Sequence, residues 1–476
     1  MTIDVLPDNV LLEIFELYLG KDNADLYEHF HNYDRWQTLA HVCCRWRCIM
    51  FASPRRLDLK LSCTRRRSVN SKTLDVWPAL PIVIVAQNME SKEDVTNVTA
   101  AFGHRNRVCK IFYHNLNEHF QDSFLEEFAA IDEPFPALTS LDLGSLGQDV
   151  PVLPDSFLGG SAPRLRSLHL NGIPYPSIGN LLSSTTNLVR LSLWHIPHSG
   201  YISPEAIVPC LSMLARLESI SLGFRYPRSQ ALRASRHPLR LTHIVLPSLT
   251  FLGFGGDIEY LEDILSQIET PMLKETDFSL FNQLVFDAQL LGRFIRRTET
   301  FMTFDTARVV FSSFTVEVSL FGQEEMANND LEDWERLQLE IRCKVLDWQL
   351  SALSQVLNTL SSSLPTVDKL AIGVYHEDWQ DEIEDIQWQE FLYPFGSVKT
   401  MILESEDTVR LVAPTLQKLT GERATEVLPA LQNISLMTRE WPSGSVKEAI
   451  EQFIATRQLY GHPVIVHYQD TKSEEG

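Results

Sequence analysis

Few of the chain's chemistry-bearing residues stand at spacings that would let them act together. The string HNLNEH sets His114 and His119 on either side of Glu118, close to the pattern of an inverted zinc-binding helix. One residue too many separates His114 from Glu118, so the two imidazoles would not share a helical face. His41, Cys43, Cys44 and Cys48 crowd a second stretch. On a helix Cys43 and Cys44 point about 100° apart, and no C-x-x-C pair follows, so Cys43 reads as a packing residue and no metal is expected. Gly253 to Gly256 (GFGG) lacks the third glycine and the ribose-binding acid of a dinucleotide site, and no G-x-x-x-x-G-K-[ST] phosphate loop occurs. Gly144 to Gly147 (GSLG) is spaced wrongly for a nucleophile elbow. His169 stands apart from any group at ligand or catalytic spacing and reads as a solvated histidine. The chain is therefore expected to be no enzyme and to carry no cofactor.

Bulk properties narrow the remaining classes. At 476 residues the chain exceeds one ordinary compact core, which calls for several domains or one elongated repeat domain. A hydrophobic share of 44% with 22% charged residues fits a folded chain rather than a disordered one. The formal charge of -21 opposes phosphate backbones and anionic lipids, so neither nucleic acid nor membrane is expected as a partner. No apolar run approaches the roughly 18 to 20 residues that span a bilayer; Ala79 to Ala86 is too short. Met1 to Asp8 lacks the pattern of a secretory signal, Lys472 to Gly476 is no lipidation or retention motif, and seven scattered cysteines suit reduced thiols. An intracellular location, in cytoplasm or nucleus, is the expectation. Charge is uneven: Arg45 to Lys72 is basic, whereas Glu324 to Glu335 and Glu377 to Asp385 are acidic. The basic stretch reads as a solvated or partner-facing surface.

At the amino end, DVLPDNVLLEIFELY (residues 4–18) reads as an amphipathic helix. Pro7 and Asp8 mark its start, and Val10, Leu11, Ile14, Phe15 and Tyr18 recur at helical spacing. After a polar and aromatic insertion, Lys21 to Asp34, the pattern resumes from Trp36 to Ala52 with Leu39, Val42, Cys43, Trp46, Ile49 and Met50, which predicts a helical hairpin. So small a unit cannot absorb all of Leu6, Pro7, Ile14, Phe15 and Trp46 in its own core. Either some of them face a partner or the hairpin caps the domain that follows, and periodicity leaves both readings open.

Farther along, an apolar-x-x-apolar-x-apolar frame recurs: LTSLDL (138–143), LRSLHL (165–170), LVRLSL (188–193), LESISL (217–222), LTFLGF (249–254), a weaker LKETDF (273–278), then VDKLAI (367–372), VKTMIL (398–403) and LQNISL (431–436). The early repeats lie about 23 to 32 residues apart, as irregular leucine-rich repeats would. In such a coil the frame's apolar positions point inward, and the alternating positions form one continuous outer face. That face is expected to carry Asp142, His169, Asn171, Arg190, Trp194, Ser221, Phe251, Asp277, Lys369, Glu404 and Ser435. Of these, His169, Asn171, Arg190, Trp194, Phe251 and Asp277 are the candidate substrate contacts, with Trp194 as the aromatic anchor or else packed on a neighbouring repeat. Residues 298–345 alternate instead like antiparallel strands, and a meander is expected to interrupt the solenoid there.

The string LPDNVLLEIFELY, followed after the insertion by LAHVCCRWRCIMFASPRRL, resembles an F-box. The segments TLDVWPALPIVI, SSFTVEVSL, LDWQLSALSQV, FLYPFGSVKTMIL, TEVLPALQNISL and RQLYGHPVIV extend a resemblance to mushroom-type fungal F-box proteins over most of the chain. It implies an α/β protein with all-α F-box helices ahead of an irregular leucine-rich-repeat-like solenoid. The boundaries would be 1–60 for the F-box-like module, 61–130 for a linking and capping segment and 131–470 for the repeats, with the interruption at 298–345. It further implies a substrate-recruiting adaptor of an SCF (cullin-RING) ubiquitin ligase. Leu6, Pro7, Val10, Leu11, Ile14, Phe15, Leu39, Val42, Cys43 and Trp46 would contact the Skp-type linker, which holds the cullin, and the repeat face would hold an unknown protein substrate. The insertion at 21–34 is longer than an F-box loop, a departure that bears on docking. The alternative is a repeat scaffold without ligase association.

Overall fold

The computed structural model describes residues 5–20, 35–64, 79–87, 91–115, 123–147, 150–227, 243–283, 285–325, 331–343, 345–361, 364–375, 385–419, 426–438 and 442–469. The insertion at 21–34 and most of the HNLNEH string lie outside them. The chain divides into two compact units, Met1–Leu217 and Glu218–Gly476.

The first unit begins with helices α1 (Asp8–Leu19), α2 (Arg35–Val42) and α3 (Cys44–Ala52). The expected hairpin is thus divided once more. Cys43 leaves helical geometry (φ -159°, ψ 169°), and its sulfur accepts the N–H of Trp46, so the residue expected to pack inside a helix caps the next one instead. Strands β1 (Leu61–Thr64), β2 (Ile82–Gln87), β3 (Val108–Asn115), β4 (Ser140–Ser145), β5 (Ser167–Asn171) and β6 (Arg190–Ile196) follow, each parallel to the one before. Residues 61–130, expected only to link and cap, supply β1 to β3 and belong to the repeat sheet.

The repeat has a simple physical cause. The residue opening each leucine frame donates its N–H to the carbonyl three residues back, at 3.0–3.4 Å: Leu138 to Phe135, Leu165 to Ala162, Leu188 to Thr185, Leu249 to Leu246, Leu273 to Thr270, Val367 to Leu364 and Leu431 to Leu428. Pro136, Pro163, Pro247, Pro271, Pro365 and Pro429 take the second place of six of these seven turns, where a fixed φ suits the geometry. The next residue then bonds back to the preceding repeat, as Thr139 N–H does to Cys109 O, Arg166 to Thr139 and Val189 to Arg166, each at 2.8 Å. Turn and link together set the register, and the frame's leucines fall inward: Leu165, Leu168 and Leu170 are all buried. Each contributes roughly 1.5–3 kcal/mol by leaving water. Helices Lys92–Thr99 and Ser123–Ala129 and the turns after them bring a run of rings to the core, Tyr113–Phe124 at 4.5 Å, Phe102–Phe128 at 5.2 Å and Phe128–Phe157 at 5.2 Å between centroids.

The second unit holds β7 (Ser219–Phe224), β9 (Phe251–Gly256), β11 (Glu275–Phe281), β12 (Thr306–Ser312), β13 (Thr315–Glu325), β14 (Leu331–Arg342), β15 (Lys369–Tyr375), β16 (Thr400–Leu403), β17 (Asn433–Met437) and β18 (Ile465–Gln469). The short pair β8 (Ile244–Val245) and β10 (Ile268–Glu269) stands aside. Their order in the sheet is β7-β9-β11-β14-β13-β12-β15-β16-β17-β18. The 298–345 region is an antiparallel meander, but the hydrogen-bond ladder runs through it: β14 pairs parallel with β11, and β12 pairs parallel with β15. Helices Ile258–Leu265, Gln289–Arg297, Leu346–Leu360, Asp385–Leu392, Glu406–Lys418 and Gly444–Leu459 complete the unit. Fully buried Arg457 donates to Leu428 O and Leu431 O, neutralising carbonyls of the last such turn from within; burial lowers its pKa.

Candidate partner-binding surfaces

The amino-terminal helices divide the ten predicted linker contacts into two groups. Leu11, Phe15, Leu39 and Trp46 are buried in the module's own core, with Phe15 and Trp46 rings 4.9 Å apart. Phe15 and Trp46 are therefore not surplus to that core, because their rings join α1 to α3. Pro7, Ile14 and Val42 are exposed, Ile14 to 37% and Val42 to 57%, while Leu6, Val10 and Cys43 are half-buried. Leu17, 83% exposed, and Tyr18 continue the outer stripe of α1 from Ile14 at spacings of three and four residues. Leu17 was missed because helical spacing cannot say which stripe faces the core.

Arg45 holds the Leu6–Pro7 turn in place. Its guanidinium donates to Leu6 O and to Asp8 Oδ1 (2.7 Å for the latter), so the chain's approach to α1 is tied to α3. Arg56 pairs with Glu16 at 3.1 Å, and Trp36 Nε1 donates to Lys60 O at 2.7 Å, anchoring α2 to the residue before β1.

On the strand face of the first unit, β-register brings together groups distant in sequence. His114 Nε2 lies 2.8 Å from Asp142 Oδ1, and His169 Nε2 lies 3.9 Å from the same oxygen, with the two imidazoles stacked at 6.3 Å. His169 is accordingly a member of a His–Asp–His cluster, not the isolated surface histidine its sequence context suggests. Burial lowers the His169 pKa, opposed by the Asp142 carboxylate and assisted by His114. Gly144 makes the cluster geometrically feasible, since a Cβ there would lie 2.6 Å from His114 Nδ1. Beside it, Asn171 Oδ1 meets His195 Nδ1 at 2.8 Å, and His195 adopts a left-handed φ of 50°. Trp194 is half-buried with its ring 6.0 Å from that of His195, and Arg190 is exposed. A continuous polar and aromatic strip results.

On the strand face of the second unit, Phe251 and Asp277 are half-buried, Lys369 is exposed and Ser435 is buried. Its most ordered group went unnoticed in the sequence except for Glu404. Arg308 donates through Nε and Nη2 to both Glu404 oxygens (2.8 and 2.9 Å), and Tyr375 Oη donates to Glu404 at 3.1 Å. The carboxylate bonding raises the Arg308 pKa. Burial followed by Glu404 raises that of Tyr375. Gly373 leaves room for Glu404, whose Oε2 would stand 2.6 Å from an added Cβ. Among the described residues no group of three His, Cys, Asp or Glu side chains is placed to hold a metal ion, and no helix is long and apolar enough to cross a membrane.

Register, turns and faces define a class, an α/β repeat protein of leucine-rich-repeat-like construction with three helices at its amino end. No protein-family model matches the chain, and no curated protein matches it. Among solved structures it is similar to the leucine-rich repeat-containing protein LegL7 from Legionella pneumophila, at 16% identity over 72% of this chain and 97% of that chain, with a TM-score of 0.29. A superposition that loose carries no argument; the class rests on this chain's own strand register.

Proposed function

We propose that the chain is an F-box adaptor of an SCF-type ubiquitin ligase. On this reading α1 to α3 hold a Skp-type linker, and through it a cullin, while the outer strand faces hold a protein substrate. One observation carries the reading: α1 fills its module's core with Leu11 and Phe15, yet keeps Ile14, Leu17 and Tyr18 in water beside exposed Pro7 and Val5. Apolar stripes of this kind suit a helix-on-helix contact. The contact runs through Leu6, Pro7, Val10, Ile14, Val42 and Cys43, with Leu11, Phe15, Leu39 and Trp46 supporting them from behind. The chain itself is non-catalytic, transfer chemistry belongs to other subunits, and cytoplasm or nucleus is its place of work. A net charge of -21 turns nucleic acid away.

Co-expression with a Skp-type linker tests the reading. The wild-type chain is expected to co-purify, and Pro7→Ala combined with Ile14→Glu is expected to abolish the complex while thermal unfolding of the remainder stays unchanged. A complex that survives the double substitution rejects the assigned contact. The second reading, a ligase-free repeat scaffold capped by its own helices, draws on buried Trp36 and its bond to Lys60 O ahead of β1. It requires that deleting residues 1–52 unfold or aggregate the repeats, and a soluble, folded remainder rejects it.

A further inference from the structure

Register on the strand face of the first unit sets Asp142 beside His169 and His169 beside Ser192, with Asn171 beside Trp194 one pleat farther along. Arg190 lies on β6 at the other side of Ser192. Asp142 is the only carboxylate at the outward positions of β3 to β6, whereas Lys110 and Arg190 place cations there. That carboxylate is already engaged, since its Oδ1 takes His114 Nε2 at 2.8 Å and has His169 Nε2 at 3.9 Å. On a chain with a formal charge of -21, this face is a local reversal of sign.

Its hydrogen-bonding capacity is one-sided as well. Asn171 commits its Oδ1 to His195 Nδ1 at 2.8 Å, so the amide N–H groups are what it has left to offer. Next to it, half-buried Trp194 carries an indole N–H that can only donate, and its ring is set against that of His195 at 6.0 Å. Exposed Arg190 adds a guanidinium that pairs with no carboxylate among the described residues. The Asn171 amide nitrogen and the Trp194 indole nitrogen likewise meet no acceptor among them.

Three groups that donate and do not accept call for a partner rich in acceptors, and the cation among them calls for one that is negative. Charges more than about 8 Å away are largely screened at physiological ionic strength, so these neighbours outweigh the distant net charge for a short segment seated on them. Arg190 and Trp194 stand four residues apart on one strand, about 13 Å, a span that an extended chain also covers in about four residues.

We infer that this strip binds an extended acidic segment of the protein substrate, one carboxylate on Arg190 and a second on the amide of Asn171 and the indole N–H of Trp194. The inference rests on the proposed reading of the strand face as the substrate surface and names the chemistry of what binds there. The probe is a Gly/Ser peptide with two glutamates four residues apart, fluorescein-labelled at its amino end and followed by fluorescence polarisation on the purified full chain in about 0.15 M salt. Saturable binding is expected, weakened by at least about tenfold when both glutamates become glutamine. Arg190→Gln and Trp194→Phe should each weaken the glutamate peptide by about fivefold with an unchanged melting temperature, the second keeping the ring and removing only the donor. Lys369→Gln, at an exposed cation on the strand face of the second unit, should leave binding as it is. No linker takes part, so a chain that binds the peptide but no linker supports this inference and rejects the ligase contact alone. Equal affinity for the two peptides, indifference to Arg190→Gln or to Trp194→Phe, or no saturable binding at millimolar peptide would overturn the inference, whether or not a linker co-purifies.

Discussion

Neighbouring residues of one helix, Phe15 and Ile14, give the sharpest test of how the amino-terminal module is built. Phe15 is wholly buried and its ring lies 4.9 Å from Trp46, whereas Ile14 keeps 37% of its surface in water. Truncating a core Phe to Ala costs about 3–5 kcal/mol through lost transfer energy and the cavity left behind. A module this small is itself stable by only a few kcal/mol, so Phe15→Ala should leave α1 and α3 largely open. Ile14→Ala should cost below about 1 kcal/mol. Hydrogen exchange on the full-length chain resolves the two: Phe15→Ala strips protection from α1 and α3 but leaves β4 to β6 untouched, and Ile14→Ala retains protection throughout. If both substitutions opened the module equally, or neither did, α1 would not divide into a core face and a free face. The surface argument for a docking partner would fall with it.

Glu262 and His169 carry opposite pH signatures. Glu262 accepts the N–H groups of Leu290 (2.6 Å) and Leu291 (3.0 Å), and burial raises its pKa above the model-compound value of 4.5. Native protein then binds this proton more tightly than the unfolded chain, so stability falls as pH rises from 4.5 through the raised native value. Glu262→Gln should flatten that slope in denaturant titrations because the amide oxygen still accepts, whereas Glu262→Ala should cost about 1–3 kcal/mol by leaving two N–H groups unsatisfied. Equal midpoints for the two variants would refute the role. Burial lowers the His169 pKa, so the native state binds its proton less readily, and stability present above the unfolded value of 6.5 is lost as pH falls below it. His169→Gln should remove that acid sensitivity below pH 6.5; an unaltered pH profile would show that burial does not hold His169 neutral.

The leucine frame was legible because each strand buries alternate residues, as Leu168 and Leu170 do around half-buried His169. Strands β1 to β3 were not. Ile82 to Ala86 is apolar throughout and buried on both sides, with Val83 and Val85 clustering with Phe112, so no alternation marks the strand. A better signal lay in FPAL, APRL, LPSL, TPML, LPTV and LPAL, the proline turns that start the repeats. The break at Cys43 was hidden because apolar spacing continues on both sides of it and cysteine is not among the usual capping residues. Clusters were hidden for a further reason. His114, Asp142 and His169, like Arg308 and Glu404, meet only through strand register, which no local pattern encodes.

The meander satisfies a constraint that any insertion into a parallel ladder must meet. A two-stranded hairpin would present one edge running the wrong way, but three antiparallel strands restore direction, so β14 can pair with β11 and β12 with β15. The spatial order within the meander is reversed: the chain passes from β11 to the far strand β12 first and returns to β14 last. The helix Leu346–Leu360 then leaves from β14 beside the β12–β13 turn, a meeting of turn and helix start that the proline-turn repeats lack. Gln349 bridges that meeting, and a cavity lined by Phe314 and Trp348 opens over it. The feature that departs from the repeat is thus the one that gives this face a pocket, and stability of the ladder required the departure to have an odd number of strands.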